Sequence, residues 1–246
     1  MPNAPRIPTP APRIAAVMIF PILLAGFCAA TVAGSACPKK GDYTTDLGQS
    51  ACTFVNTGRT PFWVLEPGFY LQLEGMEGKD LIQNTITTLV DTELIDGVLT
   101  RVVEERELAN GELIEVSRNY FAICQETSSV FYFGEDVDIY EGGVLVSHDG
   151  AWRSGIGGAT AGIIMPGTFL LGSRYFQEIA PDVALDRGCN SAMGLAVSTP
   201  AGSFTGCVAV SETTPLEKGK SDKVYCPGVG LVNDDTQVLV DWSEKP

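Results

Sequence analysis

Beyond about residue 60 the chain alternates apolar and polar side chains with a period of two, the pattern of strands that bury one face. Aromatic runs at 61–65 and 68–75 are split by Glu66-Pro67, a turn signal, and 81–90 (LIQNTITTLV) continues as a half-buried strand. VLTRVVEERELA and ELIEVSRNYFAIC flank Asn110-Gly111, a two-residue type I′ turn, which predicts a long hairpin between Val98 and Cys124. In the simplest register Leu108 faces Leu113 and Arg106 faces Glu115, and Glu104, Glu105, Glu107, Glu112 and Glu115 form a solvated face. Residues 155–167, GIGGATAGIIMPG, read as a loop, and the strand pattern then resumes to Trp242. No amphipathic helix of useful length is visible after residue 36. The expected fold is mainly β: an antiparallel meander of roughly ten to twelve strands curled into a half-barrel or open barrel.

A second hairpin, DVDIYE-Gly142-Gly143-VLVSHD, gathers the most chemistry. Its unbroken register opposes Glu141 to Val144, Ile139 to Val146, Val137 to His148 and Asp136 to Asp149. Like charges directly opposite one another are unfavourable. Asp136, Asp138 and Asp149 on one face therefore form a candidate Ca²⁺ site, the alternative being a solvated face on which the two carboxylates splay apart. His148 is the only histidine, so any imidazole chemistry within the chain passes through it. It is the candidate general base of an enzyme, or else a packed histidine bonded to a backbone carbonyl beside Trp152.

The first thirty-six residues differ from the rest. Arg6 and Arg13 precede an apolar run from Ile14 to Val32 and the small residues Ala33, Gly34, Ser35 and Ala36, a secretory leader with a cut after Ala36. Lipidation at Cys37 is an alternative fate, and no membrane span is expected after cleavage. The domain reading is a leader over 1–36, an irregular cysteine-containing segment over 37–58 and a β domain over 59–246. Removing the leader takes the formal charge from −14 to −16. So acidic a surface repels nucleic acid and attracts cations.

Six cysteines remain, Cys37, Cys52, Cys124, Cys189, Cys207 and Cys226, an even set suited to an oxidising periplasmic or extracellular compartment. Of the possible connectivities, geometry favours Cys37 with Cys52, Cys207 with Cys226, and Cys124 with Cys189.

Thr199-Pro200-Ala201-Gly202-Ser203-Phe204 through Cys207, then Thr214-Pro215-Leu216-Glu217, then Val224-Tyr225-Cys226-Pro227-Gly228-Val229-Gly230-Leu231-Val232 resemble blocks of a class of exported bacterial β proteins. FGEDVDIY and MPG are similar to further blocks of the same hypothetical proteins. The resemblance spans about residues 60 to 240 and, by analogy, looks like the half-barrel of periplasmic lipoprotein carriers, whose concave face holds acyl chains. It implies an exported, non-catalytic protein that binds an apolar or amphipathic ligand or an envelope partner. Phe62, Trp63, Phe69, Tyr70, Phe121, Trp152 and Arg153 are the candidate ligand-binding residues. The competing expectation is an exported lyase or hydrolase acting on a polar polymer or ester, using His148 with a tyrosine or a carboxylate.

Overall fold

The computed structural model describes Cys37 and residues 41–243. The expected leader, its cut and any lipid lie outside the described residues.

Eighteen strands follow one another, and apart from a short 3₁₀ turn at Gln49–Ala51 the described residues hold no helix. They are β1 (Phe54–Val55), β2 (Arg59–Thr60), β3 (Trp63–Val64), β4 (Tyr70–Glu77), β5 (Asp80–Ile95) and β6 (Val98–Ala109). Next come β7 (Glu112–Cys124), β8 (Val130–Glu141), β9 (Val144–Ser147), β10 (Trp152–Arg153), β11 (Thr160–Met165) and β12 (Arg174–Phe176). The last are β13 (Glu178–Ile179), β14 (Arg187–Thr199), β15 (Gly202–Thr213), β16 (Ser221–Cys226), β17 (Gly230–Asp234) and β18 (Gln237–Trp242).

All but β2 and β3 belong to one antiparallel sheet, ordered β12-β14-β15-β16-β17-β18-β4-β5-β6-β7-β8-β11-β13, with β1, β9 and β10 attached to its margins. Its sixteen strands exceed the expected ten to twelve because irregularities break the chain into short pieces, and because 160–165, read as loop, is strand β11. A sheet of this size must curl. Here it curls into a nearly closed barrel. The two ends of the order, β12 and β13, are neighbours in sequence, separated by Gln177 alone. One strap, residues 174–179, therefore pairs with β14 by its first half and with β11 by its second, spanning the single unsealed seam. Gly162 permits this approach: a Cβ there would lie 2.3 Å from the Gln177 carbonyl oxygen. Thr44 accompanies the strap from outside, donating to the Arg174 carbonyl and accepting from the Phe176 amide.

Register departs from the simplest reading at three bulges. In β6–β7 the Leu108–Leu113 pair forms as expected, but Ile114 is extra, so Glu107 rather than Arg106 opposes Glu115. In β8–β9 Tyr140 pairs with Leu145, and Val146 is extra, so Ile139 meets Ser147 and the ladder ends there. His148 and Asp149 leave the strand, and the expected Val137–His148 and Asp136–Asp149 pairs do not form. In β7–β8 Phe133 is extra between the Phe121–Tyr132 and Tyr120–Gly134 pairs.

Alternation about these bulges makes two apolar layers. Val103, Phe121, Tyr132, Met165, Val208, Val210 and Tyr225 point inward with Leu65 and Trp63 from the 58–69 segment. Val102, Tyr120, Ala122, Phe131 and Phe133 point outward and would be exposed, but residues 47–54 cover them. Phe54 packs edge-on against Phe131 and Phe133, each at 5.2 Å between ring centroids. Cys52 bonds Cys124 to pin this cover.

All six expected cysteines are paired. Cys207–Cys226 joins neighbouring strands as read, whereas the other two bridges are Cys37–Cys189 and Cys52–Cys124. The favoured Cys37–Cys52 loop assumed that the N-terminal segment closes on itself. Instead Cys52 reaches the end of β7 and Cys37 reaches β14.

Candidate functional site

The barrel encloses a cavity of about 270 Å³. Its lining changes character along two neighbouring strands. On the inner face of β7 the sequence runs Phe121, Asn119, Ser117, Glu115, and on β6 it runs Val103, Glu105, so one end is apolar and the other acidic. Trp63, Val64, Phe69, Leu71, Ile86 and Leu231 complete the apolar end. Trp63 stands edge-on to Phe121 at 5.1 Å and tilted against Tyr225 at 6.2 Å. These side chains are in the lumen because the 58–69 segment folds into the barrel, where Gly228 donates to the Pro61 carbonyl and Leu65 to that of Gly58.

At the acidic end, Glu105, Glu115, Glu135, Glu178, Asp186, Glu212 and Asp234 meet a single cation, Lys223. Lys223 lies 3.3 Å from Glu212 and 3.4 Å from Asp234. Burial opposes its charge, but Asp234 and Glu212 outweigh that and hold the ammonium well above its ordinary range. Glu105, Glu115 and Glu135 form no ion pair among the described residues. Burial raises all three carboxyls. Glu135 reaches about 8, helped by Glu105 and Glu115 and opposed by its hydrogen bonds with Tyr132 and Ser117. Glu105 and Glu212 are raised despite Lys223. Glu178, only 2% exposed, is raised well above the carboxylate range by burial and by Asp186, although it accepts from the Asp186 amide at 2.5 Å.

Hydrogen bonds fix much of this lining. Asn84 donates to Glu105 at 3.4 Å, Gln177 of the strap donates to Glu212 at 2.6 Å, and the Tyr132 hydroxyl donates to Asn119 at 2.5 Å. Tyr225 differs. It is 3% exposed and lines the cavity, yet its hydroxyl makes no hydrogen bond among the described residues. Glu135, Asp186 and Glu212 also line a second hollow of about 470 Å³, walled further by Val183, Ala184 and the 214–220 loop, on the side where the cavity could open as a mouth.

Of the residues singled out from sequence, Trp63, Phe69 and Phe121 line the cavity. Phe62 packs behind them against Phe169, 6.0 Å between centroids, and Trp152 stands edge-on to Tyr132 in the inner core. Tyr70 donates to Asp241 on the rim, and Arg153 lies on the outer wall over Tyr120. Arg153 also binds Asp136 at 2.7 Å, and Tyr120 donates to the same carboxylate at 2.8 Å. Although burial works against ionisation, these two bonds hold Asp136 below its usual value. Asp138 takes Arg118 at 3.3 Å and His148 at 2.9 Å, while Asp149 sits in an exposed turn. Among the described residues, one group of three metal-type side chains has its ligand atoms within 4.8 Å of one another, Cys52, Cys124 and Glu126. Its two sulfurs are bonded to each other. His148 does not pack against Trp152: its side chain is 65% exposed on the outer surface, with Nδ1 2.9 Å from the Val137 carbonyl.

Glu105, Glu107 and Glu115, which the hairpin pattern places on a solvated face, point into the barrel instead. The available signal was parity. Glu105 and Glu107 share their face with Val103, and Glu115 shares its face with Phe121.

The chain matches no family model and no curated protein. Two solved structures are similar to it in part, each at 14% identity and a TM-score of 0.38 over 76% of this chain and all of theirs. One is a "putative exported protein with YmcC-like fold" from Bacteroides fragilis, the other a "putative lipoprotein" from Parabacteroides distasonis. The three disulfides of the present chain fit an oxidising, extracytoplasmic compartment.

Proposed function

We propose that the barrel is an extracytoplasmic binding protein whose lumen takes an amphipathic small molecule. One observation carries this reading: one hollow inside the barrel is apolar at the Trp63–Phe121 end and polar at the end it shares with the second hollow. A cavity packed to the density of an ordinary core would leave no such space, and apolar pockets with a few polar groups at one end are how small-molecule sites are built. Its volume equals about nine water molecules at roughly 30 Å³ each, and an alkyl chain of moderate length has comparable bulk. The barrel form agrees, since barrel mouths are frequent ligand entrances.

The test is a titration of the intact protein with decanol below its solubility limit, followed by calorimetry and by tryptophan emission. Saturable one-to-one binding is expected, weakened in Ile86→Phe, which fills the apolar end while keeping circular dichroism unchanged. Absence of saturable binding by the folded protein would remove the proposal.

A further inference from the structure

Resting on that reading, we infer that the ligand's polar end is cationic, a primary ammonium that seats between Glu105, Glu115 and Glu135 with its chain directed toward Trp63 and Phe121. Three observations converge on this class. The wall of the cavity carries seven carboxyl side chains and one amine, and that amine already serves Glu212 and Asp234. Glu105, Glu115 and Glu135, on the three adjacent strands β6, β7 and β8, form no ion pair among the described residues, and Lys223 eases Glu105 only from a distance. The Tyr225 side chain, nine-tenths buried, borders the same space, and its hydroxyl makes no hydrogen bond among the described residues.

Glu105, Glu115 and Glu135 are partly buried, and a carboxylate drawn out of water favours a counter-charge or a proton. An entering cation supplies the counter-charge, and an ammonium brings donors that carboxylates accept. A decanoate head would add a like charge to this wall, and an alcohol would leave the three carboxyls as they are. A bare metal ion suits the wall poorly. Its ligands must converge to about 2.3–2.6 Å for calcium. No lumenal set of three carboxylates brings its oxygens within 4.8 Å of one another among the described residues. An organic cation spread over several ångströms meets separated acids better.

The test compares three ligands of equal chain length on the intact protein: decylammonium, decanol and decanoate, each below its aggregation limit at pH 7. Decylammonium is expected to bind at least about tenfold more tightly than decanol, and decanoate more weakly than either. Glu115→Gln and Glu135→Gln should each bring decylammonium toward decanol while leaving decanol unchanged, and Glu112→Gln, at the exposed start of β7, should change neither. If decanol binds and decylammonium binds no better, or if the lumenal variants and Glu112→Gln behave alike, the cation preference is overturned and the lumen reading stands. If none of the three binds, the lumen reading fails and the preference falls with it.

Discussion

Glu107 and Glu115 are direct cross-strand partners on the inner face of β6 and β7, and neither forms an ion pair among the described residues. The bulge at Ile114 creates this pairing by shifting Glu115 away from Arg106. Burial first, then Glu115, Glu77 and Glu105, push Glu107 up to about 7. Glu107→Gln removes one of two facing charges and should stabilise the protein at pH 8 by about 0.5–1 kcal/mol. At pH 5, where Glu107 is protonated, the gain should nearly vanish. Urea unfolding at the two pH values measures both.

The lumenal acids make stability depend on pH in a defined direction. Glu107 and Glu135 are raised in the folded protein to about 7 and about 8, above the ordinary carboxyl value of about 4.3 in the unfolded chain. Between those values the folded state binds more protons than the unfolded one, so stability falls as pH rises. The contribution is complete below about pH 4 and is lost as pH passes through 7 and 8. Asp136, whose pKa is lowered, acts oppositely but only in acid. A melting temperature that declines from pH 5.5 to pH 9 is expected, and a flat or rising profile contradicts the lumenal placement of these acids.

Gly162→Ala tests the closure of the barrel. A methyl at this position meets the backbone of Phe176 and Gln177 at 2.3–2.5 Å, so the strap must retreat from β11. Backbone cannot yield as a flexible side chain does, and a loss of at least about 2 kcal/mol is expected. Amide exchange should quicken in 174–179 and 160–165 before it quickens in β6 or β7.

Cys52 and Cys124 hold the N-terminal cover over Phe131 and Phe133. Replacing both with serine should cost roughly 2–4 kcal/mol through the relaxed unfolded chain. It should also raise binding of an environment-sensitive dye at the outer wall, while decanol binding in the lumen persists. Peptide mapping of the unreduced wild type should return Cys37–Cys189, Cys52–Cys124 and Cys207–Cys226.

The strands and both long hairpins were readable because alternation and Asn-Gly or Gly-Gly turns are local features. Leu108 with Leu113 and Tyr140 with Leu145 formed as the turns dictate. One or two pairs further on the register moved, because Ile114 and Val146 bulge, and no local pattern marks which residue a ladder will skip. The disulfides divide the same way. Cys207 and Cys226 lie on neighbouring strands, whereas Cys37–Cys189 and Cys52–Cys124 join the N-terminal segment to strands remote in sequence. Closure hid the acids too. Glu115 on an open half-barrel would meet water, and only β11 and the strap turn its face into an interior. Phe121 and Trp63 were legible as apolar side chains for a pocket, yet their opposition to Glu105 and Glu135 is a property of the closed sheet.

Residue-resolved titration of the glutamate carboxyl carbons by NMR tests most directly whether these acids face a desolvated lumen. Glu135 should titrate near 8 and Glu107 near 7, with Glu115 also above the ordinary range. Saturation with decylammonium should draw Glu135 and Glu115 downward. Lumenal glutamates that titrate in the ordinary carboxylate range of about 4.3 would show them in contact with bulk water, and the desolvated polar end on which the account rests would not exist.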